Sequence, residues 1–254
     1  MPRWKLTIEY DGSGFCGWQR QTNAGSVQQT LEEAIAKFSG EIVTLHVAGR
    51  TDAGVHARAQ VAHFDLNKET SGDIIRDALN FYLRPNKIAI LNAAPVDENF
   101  HARFDALKRS YRYRIINRRA PLALHYQYAW HVAHELDIGA MQQAADVLIG
   151  HHDFSTFRAR NCQANSPVKT LDRCDLTRDG EEIIVTVEAR SFLYHQVRNM
   201  AGTLCLVGTG RLTLDDFKTA FAACDRAKGG PTAPAQGLCL WSVSYPHAND
   251  SAGS

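Results

Sequence analysis

Apolar and polar residues alternate at the start of the chain, and the spacing then changes to that of a helix. The residues at every second position, which predict a strand with one buried face, are Trp4, Leu6, Ile8 and Tyr10. The segment "SVQQTLEEAIAKFSG" carries apolar residues at intervals of three and four, which predicts an amphipathic helix. Ser26 and Gln29 have the spacing of a capping box at its start, and Gly40 can end it.

The same reasoning predicts the other elements of the first half. A second strand is expected over residues 43–47 and a third through residues 61–64. A helix is expected over residues 73–83, because Pro85 stops it. A further strand is expected over residues 87–96. The predicted order is thus strand–helix–strand followed by strand–helix–strand.

The second half of the chain repeats this plan. Strands are expected near residues 109–117, 126–133, 168–177, 182–190 and 238–245. Helices are expected near residues 137–149, 192–207 and 213–225. Such an order favours the α+β class, with helices packed on one face of a mainly antiparallel sheet.

The two halves predict two similar subdomains. We expect an N-terminal α+β subdomain over residues 1–102, a C-terminal α+β subdomain over residues 103–246, and a disordered tail over residues 247–254. No linker rich in Pro, Gly or Ser separates the halves, so their sheets are expected to be continuous.

Composition narrows the class of protein. The chain has 254 residues, of which 44% are hydrophobic and 22% charged, as in ordinary globular proteins. No apolar run approaches the roughly 20 residues that cross a bilayer, and the N-terminus has no signal-peptide core. The six cysteines include no C-x-x-C pair, which argues against a disulfide framework or a zinc site. We therefore expect a reduced, cytoplasmic protein without membrane association.

Two patterns that would indicate a cofactor or metal fail on closer reading. Gly12, Gly14 and Gly17 form a literal G-x-G-x-x-G after a strand, but a dinucleotide site needs a helix to open at the last glycine. Here the helix starts eight or nine residues later. The histidine pairs lack H-x-x-x-H spacing with a third ligand nearby. No cofactor and no metal are expected.

Charge is balanced overall but clustered locally. The net charge is +1, which alone says nothing about nucleic acid. The basic residues between positions 103 and 119, opposed only by Asp105, are Arg103, Lys108, Arg109, Arg112, Arg114, Arg118 and Arg119. This clustering is typical of a phosphate-binding surface, although charged edge strands that avoid aggregation look similar.

The segment "AGRTDAGVHARAQVAHFD" contains the most informative chemistry. Arg50 and Asp52 point to the same side of an extended chain, where the guanidinium can orient the carboxylate. Gly49 and Gly54 allow the backbone to approach a ligand. Asp52 should be a carboxylate at neutral pH, which suits a nucleophile or base. The alternative is a simple turn in which Asp52 bonds the local backbone.

At this point the chain resembles the TruA family of tRNA pseudouridine synthases. "GRTDAGVHA" resembles the catalytic motif, and "YDGSGFCGWQRQ" and "FHARFDALKRSYRYRI" resemble the N-terminal and central motifs. "DFSTFRA", "FLYHQVRNMAGTL" and "APAQGLCLWSVSYP" resemble later segments in the same order. The resemblance implies the pseudouridine synthase fold, with sheets continuous across a central cleft. It also implies a homodimer that modifies uridines 38, 39 and 40 of the tRNA anticodon stem-loop.

The resemblance also assigns roles to single residues. It implies that Asp52 is the essential aspartate and that Tyr111 stacks on the target base. Arg198 would pair with the aspartate, Arg50 would position the RNA, and Leu238 would form an apolar wall beneath the base. The arginines that we expect to contact RNA are Arg103, Arg109, Arg112, Arg114 and Arg158.

Two other classes of function remain open from the sequence. One is a non-catalytic RNA-binding or chaperone protein that uses the same basic strand. The other is a glycoside- or nucleoside-cleaving enzyme, although such enzymes usually need paired carboxylates, and no second acid accompanies Asp52 in the motif.

Overall fold

The computed structural model describes residues 1–21 and 25–246. The chain forms two compact units, which we call unit 1 (Met1–Arg109 and the chain from Leu240 onward) and unit 2 (Ser110–Cys239). These bounds differ from the expected division at residues 102 and 103, because the last strand belongs with the first half of the chain. The expected tail over residues 247–254 lies outside the described residues.

The described residues of unit 1 form a sheet and two α-helices. The strands are β1 (Arg3–Tyr10), β2 (His46–Val47), β3 (His56–Asp65), β4 (Ile88–Val96) and the greater part of β10 (Leu238–Ser244). Their order is β4-β1-β3-β10, with β2 beside β3. β1 is antiparallel to both β3 and β4. The helices are α1 (Val27–Ser39) and α2 (Gly72–Tyr82).

The local signals predicted unit 1 well. The Ser26 side chain accepts a hydrogen bond from the Gln29 amide, and Gly40 ends α1 in the left-handed conformation at φ 79°. The strand expected over residues 43–47 was wrong in length, because only His46–Val47 pairs with β3. An apolar alternation does not form a strand where no partner strand offers hydrogen bonds.

Unit 2 contains the other sheet strands and three helices. The strands are β5 (Lys108–Asn117, in unit 2 from Ser110), β6 (Trp130–Val132), β7 (Gly150–Asp153), β8 (Val168–Asp179) and β9 (Glu182–Ala189). Their order is β5-β9-β8-β7, with β6 parallel to β5. The helices are α3 (Ile138–Asp146), α4 (Gln196–Gly208) and α5 (Leu214–Ala222). The expected α+β class and mainly antiparallel pairing are confirmed.

Three expectations for unit 2 needed correction. β7 was not predicted, and β6 is shorter than the expected strand over residues 126–133. α4 begins at Gln196 and not at residue 192, because His195 takes the left-handed conformation at φ 60° directly before it.

Among the helices of the described ranges, none has the length and apolar character that crossing a bilayer requires.

Candidate active site

Asp52 lies in the loop between β2 and β3, which we call the Asp52 loop (residues 48–55). Arg50 is exposed and Asp52 half-buried, whereas Thr51 between them is buried. The Thr51 hydroxyl lies 2.8 Å from the Tyr10 hydroxyl of β1. Both charged residues are thus more accessible than Thr51 between them.

The turn interpretation also holds for the backbone of this loop. The Val55 amide donates to the Asp52 carbonyl at 3.1 Å, and Gly54 has a φ of 77°. A residue with a Cβ adopts that conformation only with strain. The need for glycine at position 54 therefore comes from the turn. The turn uses the backbone carbonyl of Asp52, which is a group separate from its side-chain carboxylate.

The glycines that mimic a dinucleotide motif pack against the Asp52 loop. A Cβ on Gly12 would overlap the carbonyl oxygen of Val55, and one on Gly17 would lie 2.7 Å from that of Thr51. The Trp18 amide also donates to the Thr51 carbonyl at 3.0 Å. Sequence reasoning rejected the cofactor role but missed this supporting one. The glycines themselves were the available signal, because a residue without a Cβ allows another backbone segment to approach closely.

Buried polar side chains also hold the backbone of the Asp52 loop and of the segment packed against it. Gln60, fully buried on β3, donates from its side-chain amide to the Gly49 carbonyl at 2.7 Å. His56 accepts from the Gly12 amide at 3.1 Å through Nδ1, which also lies 3.2 Å from an Asp11 oxygen. These contacts order the backbone on both sides of Asp52. None was predicted from the sequence.

Tyr111 lies on β5 at the start of unit 2. Its side chain is 8% exposed, and its ring meets that of Phe192 edge to face, with centroids 5.2 Å apart. Burial alternates along this strand, because Tyr111 and Tyr113 are buried while Arg112 and Arg114 are half-buried. In this part of β5 a buried aromatic face thus alternates with a half-buried basic face, which carries Arg112 and Arg114.

Arg198 lies on α4 and is half-buried. Its Nε donates to the Ala233 carbonyl at 2.8 Å, and the Ala233 amide donates back to the Arg198 carbonyl at 3.1 Å. Gly202, one turn later, has no room for a Cβ beside the Pro231 carbonyl. The guanidinium is therefore held in a fixed orientation by the segment before β10.

Leu238 follows that same segment and is 5% exposed. Just before it, a Cβ on Gly237 would lie 2.6 Å from the ring of Tyr113, whose hydroxyl donates to the Pro234 carbonyl at 2.7 Å. Burial raises the pKa of Tyr113 well above its ordinary value, and the positive charge of Arg198 opposes this shift. Arg198 and the residues leading to Leu238 thus form one connected framework within unit 2.

Comparison with known proteins shows to which family the chain belongs. A family model described as tRNA pseudouridine synthase matches residues 6–105 and 144–246. The chain belongs to the tRNA pseudouridine synthase family. It is therefore an isomerase, and the resemblance drawn from the motifs is confirmed. Membership does not favour the non-catalytic RNA-binding alternative.

Individual members of the tRNA pseudouridine synthase family match over nearly their whole length. The tRNA pseudouridine synthase A of Paramagnetospirillum magneticum is 58% identical over 100% of this chain and 99% of its own. That of Rhodospirillum centenum is 59% identical over 96% and 100%, respectively. That of a Methylobacterium species is 56% identical over 97% and 98%.

The arginines expected to contact tRNA differ in what they already bind. Arg109 is 6% exposed, and its guanidinium donates to the carbonyls of Ala48 at 2.7 Å and Arg103 at 2.6 Å. We correct its expected RNA role to a structural one, because these donors are used inside unit 1. Arg103 is exposed, as an RNA contact requires.

The other expected contacts are partly committed to neighbours within unit 2. Arg114 forms an ion pair with Glu182, and Arg158 donates to the carbonyls of Cys162 and Ala164 at 3.1 and 2.7 Å. Arg112 is half-buried on the basic face of β5. Within the described ranges, no cluster of three His, Cys, Asp or Glu side chains suited to a metal ion was found.

Proposed function

We propose that the protein converts uridine to pseudouridine at positions 38, 39 and 40 of the tRNA anticodon stem-loop, with Asp52 as its essential carboxylate. The reaction breaks the bond between uracil N1 and ribose C1′, turns the base, and joins C5 to C1′. C5 loses a proton and N1 gains one, so no net redox change occurs. The observation that carries the proposal is a half-buried aspartate on a loop whose backbone is fixed by buried contacts.

The remaining proposed site residues bind the substrate. A uridine in a stem must leave its stack at a cost of a few kcal/mol, and an aromatic platform returns about 1–3 kcal/mol per stacked base. Tyr111 is proposed as that platform, with Phe192 fixing its ring from the edge. Arg50, Arg198 and Leu238 are proposed as further substrate-binding residues.

The RNA surface is proposed to include Arg103, Arg112, Arg114 and Arg158. Arginine suits this task because its planar guanidinium binds phosphate oxygens in pairs. Recognition by backbone shape without a base code is ordinary for folded RNA.

The test is to treat bulk unmodified tRNA with the protein and to map pseudouridine. Modification at positions 38, 39 and 40 is the expected result. Binding without any modification would instead support the chaperone alternative, and free uracil as the main product would support a nucleoside-cleaving enzyme.

Assembly and location complete the proposal. We propose a cytoplasmic homodimer, as the family resemblance and the composition implied. Light scattering on a sizing column should give twice the chain mass of 28.2 kDa. A monomer at micromolar concentration would contradict the dimer.

A further inference from the structure

Arg58 and Trp241 form a stacked pair on neighbouring strands of unit 1. Arg58 lies on β3 and Trp241 on β10, and the guanidinium carbon is 4.3 Å from the centroid of the indole ring. Arg58 is exposed and Trp241 half-buried. The guanidinium thus lies over the indole ring, where cation–π attraction holds it.

Among the described residues, Arg58 differs from Arg3 and Arg76 of the same unit, because no carboxylate pairs with it. Arg3 binds Asp65 at 2.7 Å, and Arg76 binds Asp73 and Asp77 at 2.8 Å each. Among the described residues, the stack on Trp241 is the side-chain contact that the structure shows for Arg58. Within the part of unit 1 that the structure describes, no carboxylate therefore pairs with the positive charge of Arg58.

The chain places this pair close to the proposed reacting carboxylate. Arg58 follows Asp52 by six residues, and it lies two residues beyond the first residue of β3. Six residues span at most about 20 Å of extended chain. An RNA that presents a uridine to Asp52 therefore has neighbouring nucleotides within reach of Arg58.

We propose that the Arg58–Trp241 pair binds a nucleotide beside the target uridine, with its base stacked on the guanidinium face that Trp241 leaves uncovered. Guanidinium planes stack on unpaired bases in RNA complexes. A guanidinium already held flat loses less side-chain freedom on binding than a free one does. The inference rests on the proposed function and extends it to a specificity contact outside the reacting group.

Four variants test the contact through tRNA binding and steady-state kinetics. Arg58→Lys keeps the charge but loses the plane, so it should weaken tRNA binding about tenfold, as Arg58→Gln should. Trp241→Ala should weaken binding by a similar factor, whereas Trp241→Phe keeps a ring under the guanidinium and should stay within about twofold of wild type. The change should fall in KM, with kcat altered less than about twofold.

Arg76→Gln on α2 is the control, because it removes a half-buried arginine that has carboxylate partners. It should leave tRNA affinity unchanged. Binding of tRNA should also quench tryptophan fluorescence more in wild type than in Trp241→Phe. That variant lacks Trp241, one of the four tryptophans of the chain. Circular dichroism checks that each variant is folded, and the Arg58 variants remain informative if Trp241→Ala is not.

The outcomes separate this inference from the proposed function. Wild-type affinity in Arg58→Lys together with a loss in Arg58→Gln would mean a phosphate contact and would overturn base stacking. Equal affinity in all four variants would overturn the contact altogether. A wild-type protein that binds tRNA but forms no pseudouridine would overturn the proposed function, while the binding data would still decide the role of Arg58.

Discussion

The hydroxyl oxygens of Tyr10 and Thr51 lie 2.8 Å apart, with both side chains buried. This bond ties β1 to the residue directly before Asp52. Tyr10→Phe should lower the free energy of unfolding by about 1–2 kcal/mol, because it removes the partner of a buried hydroxyl. Urea unfolding measures the loss, and Tyr82→Phe on the exposed side of α2 serves as the control. Identical stability of the two variants would contradict a role for this bond.

Asp52→Asn keeps the size of the side chain and removes its charge. We expect pseudouridine formation to fall by about a thousandfold or more, because an amide is neither a nucleophile nor a base. tRNA affinity should stay within about threefold of wild type, since RNA binding rests mainly on phosphate contacts. Pseudouridine mapping and filter binding measure the two effects. Substantial turnover by the variant would remove Asp52 from the chemistry.

Gly17→Ala and Gly14→Ala form a matched pair in the same segment. Gly17 has a φ of 92° and a Cβ would lie 2.7 Å from the Thr51 carbonyl, whereas nothing lies within 4 Å of a Cβ at Gly14. Gly17→Ala should therefore cost about 1–3 kcal/mol of stability and lower kcat by displacing the Asp52 loop. Gly14→Ala should do neither. Thermal unfolding and single-turnover rates give the comparison, and equal effects would exclude the proposed packing.

His63 should make the protein less stable in mild acid. Burial, followed by the neighbouring His101 and His46, lowers the pKa of His63 to about 4. The unfolded chain binds a proton from about pH 6.5 downward, but the folded protein resists it. The free energy of unfolding should therefore be highest above about pH 6.5. It should decline by about 2 kcal/mol as the pH falls toward 4.

Urea unfolding between pH 7.5 and 4.5 measures this dependence. His63→Gln removes the titrating group, so its stability should vary less with pH than that of wild type. His63 Nδ1 accepts a hydrogen bond from the Ala102 amide at 3.1 Å, and the variant is therefore compared with itself across pH. The same slope in both proteins would assign the acid sensitivity to other groups.

Arg103 and Arg109 should respond differently to loss of charge. Arg103→Gln should weaken tRNA binding. It should also reduce the slope of the logarithm of the binding constant against the logarithm of salt concentration by about 1, as loss of one phosphate contact does. Arg109→Gln should leave the slope unchanged but cost about 1.5–3 kcal/mol of stability, because the buried carbonyl of Ala48 loses a charged donor. Affinity at several salt concentrations, together with urea unfolding, separates the two. A reduced slope for Arg109→Gln would restore its RNA role.

Local patterns predicted most elements but not the lengths of the irregular ones. β1 and α1 follow from apolar spacing and from the caps Ser26 and Gly40, which act within a few residues. β7 carries the sequence "GHHD", which has no apolar alternation. It is a strand because β8 supplies its hydrogen-bond partners. Pairing with a distant segment cannot be read from the segment itself.

By itself, the sequence determined the family, the α+β class and the identity of Asp52 as the proposed reacting group, because motifs and periodicity are local properties of the chain. Only the tertiary structure decided that Gly12 and Gly17 support the Asp52 loop and that Arg109 is structural. It also decided that Arg58 stacks on Trp241. Each of these relationships joins residues far apart along the chain, so its energy depends on packing and hydrogen bonding that exist only after folding.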